Sequence, residues 1–408
     1  MNKQDLLNPK FMADDNSMYE LFDFLRLNDP VTYVEHPDYL PFWSLSKYED
    51  IKDIGHRNDE FLSGPRTVLV RKKVEDMFEA KLGTRNGGEN LIHMDRPKHL
   101  KMRRVTRDWF LPRNMDKISG SIEQVAKEYV DKLEQLGGEC DFVSEIALHY
   151  PLRIISTILG LPQEDERYLL KITQEIFGNS DAELRRGKSL NDNLAVVMDL
   201  YAYFGEVIED RKKNPTDDLS SVIANAEVDG EPMPLIDQLN YFIVVATAGH
   251  DTTASAISGG LRALIENPEQ MQIWSRESDL DQRGAKEIIR WVSPVRHMVR
   301  TATKDFVLRG NKIKAGDNIV LWFPAANRDE AVINDANSFQ IMRDPKMNLA
   351  FGYGAHMCLG QHLATREVQL FFKELLSRLK TVSMNGSPKG IRANFVGGLK
   401  SLPITYGF

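Results

Sequence analysis

The sequence predicts a mainly α-helical protein with small β-sheets toward its two ends, built as one large unit over residues 1–408. Apolar residues recur at helical spacing through most of the middle of the chain. Strand-like runs are few and short. No repeat, low-complexity tract or composition shift marks a linker, although 408 residues would accommodate two or three domains of ordinary size. Hydrophobic residues at 42% and charged residues at 27% match a globular chain long enough to enclose a cofactor in its core.

The opening residues, 1–15, are polar and show neither a signal peptide's apolar run nor an anchor. No stretch reaches about 18 unbroken apolar residues, so the expected location is the cytoplasm, away from membranes. Residues 41–46 read as a first short strand. In residues 93–104 a proline precedes a basic helix start, with His99 and Arg103 four apart on one face. Residues 120–136 set Ile122, Val125, Ala126, Val130 and Leu133 at helical spacing. Residues 141–159 read likewise, with Pro151 a break or kink. Residues 194–213 form an amphipathic helix stopped before Pro215. Residues 235–267 are apolar nearly all round and should cross the core. Residues 269–291 hold one or two more helices. Phe306–Leu308 and residues 318–323 read as strands, and from Thr381 short apolar runs alternate with Gly and Pro.

Lys plus Arg number 52 against 59 Asp plus Glu, a net charge of −7, which argues against nucleic-acid binding. The two cysteines, Cys140 and Cys358, exclude a disulfide scaffold and any four-thiolate metal site within the chain.

Cys358 lies in Phe351-Gly-Tyr-Gly-Ala-His-Met-Cys-Leu-Gly360, a glycine-rich turn leading into a helix. Gly354 and Gly360 allow backbone geometry and close approach that a β-carbon would block. The N–H groups of a helix starting near Leu359 would stabilise a thiolate and lower its pKa. A single thiolate suits a haem iron. The bare residues favour a buried free cysteine; a zinc site with His356 and His362, whose spacing matches no common pattern, and a cysteine nucleophile are the further readings.

This loop resembles the haem-binding signature of the cytochrome P450 family, and four further motifs follow in the family's order from about Asp95 to the end. The resemblance implies the cytochrome P450 fold, with a long central helix over haem b and Cys358 as the iron ligand, Phe351 and Gly360 shaping its loop. Glu287 and Arg290, by spacing alone an ordinary i, i+3 surface pair, would be buried behind the loop with Arg328 as a third member. His99 and Arg103, otherwise a solvated basic face, would hold the haem propionates with Arg300 and His356. Asn348 stands where the family usually has a histidine; it can donate a hydrogen bond but supplies no charge.

The central helix carries Ala248-Gly-His-Asp-Thr-Thr253, polar residues that are costly in an apolar helix without partners. The resemblance makes this the oxygen-binding segment: Gly249 leaves room for dioxygen, Thr252 hydrogen-bonds the oxygen being activated, and Asp251 relays protons. His250 is expected on the outer helix face. Val244, Thr247, Ala248, Val295, Phe395 and Val396 would line a pocket for a compact apolar substrate, a terpenoid first; each is otherwise plain core. Electrons would come from a separate iron–sulfur ferredoxin and a flavin-dependent NAD(P)H reductase, docked on Lys98, Lys101, Arg104 and Lys346. The same chemistry on a steroid side chain, fatty acid or aromatic hydrocarbon is the alternative. A haem-binding sensor or carrier, and a thiol hydrolase, are the competing classes.

Overall fold

The computed structural model describes residues 1–85, 88–178, 180–187, 189–277 and 280–408. Residues 86, 87, 179, 188, 278 and 279 lie outside the described residues. Helices dominate. Those that build the site are α1 (Lys98–Arg107), α2 (Pro112–Gln135), α3 (His149–Ile158), α4 (Glu166–Phe177), α5 (Leu190–Lys213), α6 (Leu235–Ala248), α7 (Asp251–Glu266), α8 (Asp281–Val292) and α9 (Gln361–Arg378).

The helices follow their sequence signals. In α2, Ile122, Ala126, Tyr129, Val130 and Leu133 are buried on one face, and Pro112 occupies the first turn, where its missing N–H costs nothing. The helix therefore begins eight residues before the expected 120. Ser189 caps α5 reciprocally with Asp192, and the chain leaves that helix at Asn214, ahead of Pro215. The expected helix over 141–159 is instead a strand at Glu139–Asp141, a π-helical turn at Val143–Ala147 and α3. Pro151 is the third residue of α3, early enough to be tolerated without a break. The central helix is divided: α6 ends at Ala248, α7 starts at Asp251, and Gly249 and His250 form the junction.

The strands pair across long sequence distances. A five-stranded sheet has the order β1-β2-β6-β5-β3, formed by β1 (Val31–His36), β2 (Tyr39–Leu45), β3 (Phe61–Leu62), β5 (His297–Ala302) and β6 (Asn318–Trp322). β2 and β6 run parallel, with Trp43 opposite Ile319. A second sheet sets β10 (Pro403–Gly407) between β7 (Thr381–Met384) and β4 (Glu139–Asp141). The sheets are thus not local to the chain's ends: each recruits a strand from the middle. β8 (Lys389–Gly390) pairs with β9 (Leu399–Ser401).

The largest apolar cluster lies among the helices, and two smaller ones flank the five-stranded sheet. The cavity described next runs between α6–α7, α9 and this sheet. Among the described residues no helix is long and apolar enough to cross a membrane.

Candidate active site

The cysteine loop is shaped by its glycines. Gly352 and Gly354 have φ of +70° and +80°, and a β-carbon on Gly354 would lie 2.1 Å from the Gly55 carbonyl oxygen. Only glycine fits there. Gly360 has an ordinary φ and borders the cavity described below. The Cys358 N–H donates to the Phe351 carbonyl at 2.8 Å, closing the turn and presenting the side chain to a large cavity. Burial pushes the Cys358 thiol up, while the Gly360 N–H and Arg103 pull it down.

The loop is braced from behind. Arg290 donates from Nε and Nη2 to the two carboxylate oxygens of Glu287, 2.7 Å each, with both side chains 2% exposed. Its Nη1 also reaches the carbonyls of Asn327 and Ala336 at 2.7 and 2.9 Å. Asn327 in turn accepts from the Leu349 N–H at 2.8 Å, two residues before Phe351. The third member is not Arg328. Arg343 Nε lies 3.3 Å from Glu287, whereas the Arg328 guanidinium sits 3.3 Å over the Trp291 ring and 4.3 Å over Tyr19. The two rings, and the Trp291 carbonyl at 3.3 Å from Nη2, hold Arg328 without the carboxylate, its Nε left without a partner.

The cavity has about 1640 Å³ of empty space, mouth included. Cys358, Phe351 and Gly360 line one side, and Val244, Ala248, Gly249 and Thr252 the other. His99, Arg103, Arg300 and His356 converge on it. His99 is buried with both ring nitrogens unpartnered and stacks on His356 at 4.1 Å. Burial, with Arg103, Arg300 and Arg96, lowers His99 to about 4, and burial with Arg300 lowers His356 to about 2. Arg300 is lowered to about 10 by burial and its Nε lacks a partner. Arg103 donates from Nη2 to the Met357 carbonyl at 2.6 Å, tying α1 to the cysteine loop. So many desolvated donors and cations around one apolar space are costly unless anions enter it. A flat group with two carboxylates and a metal that takes a thiolate fits this donor set: a haem.

Four expected positions fall elsewhere. Asn348 does not line the cavity; its amide reaches the Lys286 carbonyl at 3.3 Å and its oxygen accepts from the Ala350 N–H at 2.8 Å. Short and uncharged, it serves the local turn. Thr247 is buried, with its hydroxyl on the Ile243 carbonyl at 2.7 Å. Phe395 packs on His297 outside the cavity lining. Val396 forms a bridge to Val295, which lines the large cavity, but itself borders a second, smaller one. Lys98, Lys101 and Lys346 are engaged by Glu89, Asp229 and Asp344, leaving Arg104 exposed on α1.

On the central helix, Thr252 lines the cavity and donates to the Ala248 carbonyl at 2.9 Å. A β-carbon on Gly249 would meet Ile155 at 3.1 Å. Burial pushes the Asp251 carboxyl up, and its Oδ2 has no partner. His250 is not on an outer face but fully buried. Glu367 on α9 also lines the cavity, buried, its carboxyl held well above the ordinary range by desolvation. The sequence carried a signal for it: an acid among Leu363, Val368, Leu370 and Phe371 on one helix.

Comparison with known proteins matches this architecture. The family model for cytochrome P450 matches residues 40–280 and 282–407, so the chain belongs to the cytochrome P450 family. It is a cytochrome P450 monooxygenase, with the haem iron, dioxygen, organic substrate and external electron donor that the family implies. It is 37% identical to the cytochrome P450-terp of Pseudomonas sp, covering 98% of this chain and 95% of that one. It is 34% identical to a methyl-branched lipid omega-hydroxylase of Mycobacterium tuberculosis (96% and 92% covered) and 31% identical to a steroid C26-monooxygenase of Rhodococcus jostii (98% and 84% covered). Among solved structures, a cytochrome P450 from Novosphingobium aromaticivorans superimposes with a TM-score of 0.92 at 37% identity over 99% of this chain and 97% of that one. A Mycobacterium marinum cytochrome P450 in complex with pseudoionone does so at 0.89 and 30%, over 97% and 96%.

Proposed function

We propose that this single domain of residues 1–408 hydroxylates a compact apolar substrate, a terpenoid first, in the cytoplasm with electrons from a ferredoxin. The observation that carries it is the opposition of Cys358 to Gly249 and Thr252 across one apolar cavity. When bound, haem b supplies dioxygen activation and transfer of one oxygen atom to a C–H bond, the other leaving as water. Cys358 ligates the iron from the loop that Glu287 and Arg290 brace. His99, Arg103, Arg300 and His356 hold the propionates. All four line the same space, and the unpartnered ring nitrogens of His99 and Nε of Arg300 support the assignment.

Thr252 orients the distal proton donor, and Asp251 feeds it. A carboxyl raised by burial carries its proton nearer to neutral pH, as a general acid needs. The small apolar side chains of Val244, Ala248 and Val295 favour a compact, weakly polar substrate. The 37% identity to cytochrome P450-terp favours a terpenoid over the lipid and steroid named for other relatives. An acidic iron–sulfur protein suits exposed Arg104 on the cysteine side.

A spectral binding screen of the haem-loaded protein against terpenes, steroids, fatty acids and aromatic hydrocarbons tests the substrate class. A terpene with the tightest spin-state response is expected. A response confined to steroids or long-chain lipids overturns the terpenoid assignment.

A further inference from the structure

His250 lies at the junction of α6 and α7 and is fully buried, yet takes no part in the large cavity. Its Nε2 lies 2.7 Å from the Leu148 carbonyl. A carbonyl only accepts, so Nε2 carries a hydrogen. Its Nδ1 faces the Thr173 hydroxyl oxygen on α4 at 3.3 Å and Asp251 Oδ1 at 3.4 Å. The single hydroxyl hydrogen of Thr173 is directed at the Leu170 carbonyl, 3.1 Å away, so its oxygen offers the ring a lone pair. With Nε2 protonated, a neutral ring offers a lone pair at Nδ1 as well. Nδ1, the Thr173 oxygen and an ionised Asp251 would then converge with no hydrogen among them. One proton held by the His250–Asp251 pair removes that repulsion. Burial of Asp251 works in the same direction.

We infer that His250 and Asp251 share one proton, as a buried store in which His250 is the positioning partner of the relay carboxyl. The inference rests on the proposed relay role of Asp251. A second cavity, with about 560 Å³ of empty space, mouth included, borders Asp251 and is lined also by Gln174, Ser255 and Lys400 among apolar side chains. On transfer, the O–H bond of Asp251 breaks as an O–H bond forms on a water or on the Thr252 hydroxyl, which passes its own proton on into the large cavity. The carboxylate left behind takes a proton from a hydronium ion reaching it through the second cavity, which is left as water, and the pair returns to its one-proton state. Few other titratable groups face it. His149 adjoins Leu148 and itself faces Lys132 and Glu145. Lys400, across the second cavity, is held by Asp181 at 3.1 Å and Glu183 at 3.0 Å. On α4, Thr173 and Gln174 are uncharged.

Infrared titration of the resting, haem-loaded protein tests this without turnover. The Asp251 carboxyl is the band lost in Asp251→Asn. His250→Gln keeps a donor for Leu148 and removes the ring nitrogen that faces Asp251. A shared proton has two places to sit, so the pair holds it to higher pH than the carboxyl alone. In His250→Gln the carboxyl therefore loses its proton about one pH unit lower than in the parent. Thr173→Val, which deletes the second acceptor facing Nδ1, moves it the same way by a smaller step. An unchanged titration in a His250→Gln protein of normal haem content and melting temperature overturns the inference. If that variant does not fold, an unchanged titration in Thr173→Val overturns it. Product formed per NAD(P)H in Asp251→Asn is read in parallel: an unchanged value removes the relay role of Asp251 and leaves the shared proton to the infrared result.

Discussion

Truncating Arg290 to alanine strips Glu287 of its bidentate partner at a site where both side chains are 2% exposed. Removing one partner of a buried pair costs roughly 3–5 kcal/mol. The Gln340 N–H at 2.8 Å and Arg343 at 3.3 Å stay on the carboxylate and push the cost toward the lower end. The carbonyls of Asn327 and Ala336 lose their donor, at about 1 kcal/mol each, and push it back up, whereas Ser338 keeps Arg343 Nη2 at 2.9 Å. A loss of about 4 kcal/mol results. At about 2.1 cal/mol/K per residue, 408 residues unfold with about 0.9 kcal/mol/K, so the melting temperature should fall by about 5 °C. Haem occupancy should fall with it, since Asn327 links Arg290 to Leu349 and the cysteine loop. Circular dichroism melting and pyridine haemochrome content measure the two. Glu287→Gln and the double variant complete a cycle, with an expected coupling of about 2 kcal/mol. A melting temperature within about 1 °C of the parent, with full haem content, would refute the reasoning.

Thr252→Ala should bind haem and substrate and accept electrons, yet divert most of the NAD(P)H consumed to hydrogen peroxide; product and peroxide per NAD(P)H check this, and full coupling assigns the role to Thr253 or to water. Arg300→Leu should weaken haem binding by about tenfold or more, because it deletes one of the buried cations on the cavity, as read by haemin titration of the apoprotein. His297, lowered to about 4 mainly by burial, accepts from the Leu69 N–H at Nε2 and meets the Asn394 carbonyl at Nδ1. It is neutral in the fold, whereas the unfolded ring takes a proton near 6.5. Stability should therefore be full above about 6.5 and decline as pH falls toward 4, by up to about 3 kcal/mol, and His297→Gln should flatten that decline in urea titrations.

What the sequence made legible depended on range. The cysteine loop was readable because its glycines, Cys358 and His356 act within ten residues, and Gly354 is required by a positive φ and the backbone of Gly55. Helix faces were readable because their period is local, as in α2. The exchange of Arg343 for Arg328 was not readable, because it depends on how residues 327–343 fold back on α8. His250 escaped for a similar reason. Its polarity pointed outward until Leu148 and Thr173 were brought against it from elements about a hundred and about eighty residues away. Asn348 was placed at the haem by motif position alone, while its short side chain closes on Lys286 and Ala350. The pairing of β2 with β6 follows no local signal either, since the partners are over 270 residues apart.

The central claim is that Cys358 is the haem iron's ligand, as a thiolate. The most direct measurement is the carbon monoxide difference spectrum of the reduced, haem-loaded protein, taken beside Cys358→His. The parent should show the strongly red-shifted Soret band of a thiolate-ligated haem, and Cys358→His should lose it for the band of a histidine-ligated one while keeping its haem. A parent spectrum of the histidine type, or a Cys358→His spectrum that keeps the thiolate band, would contradict the assignment.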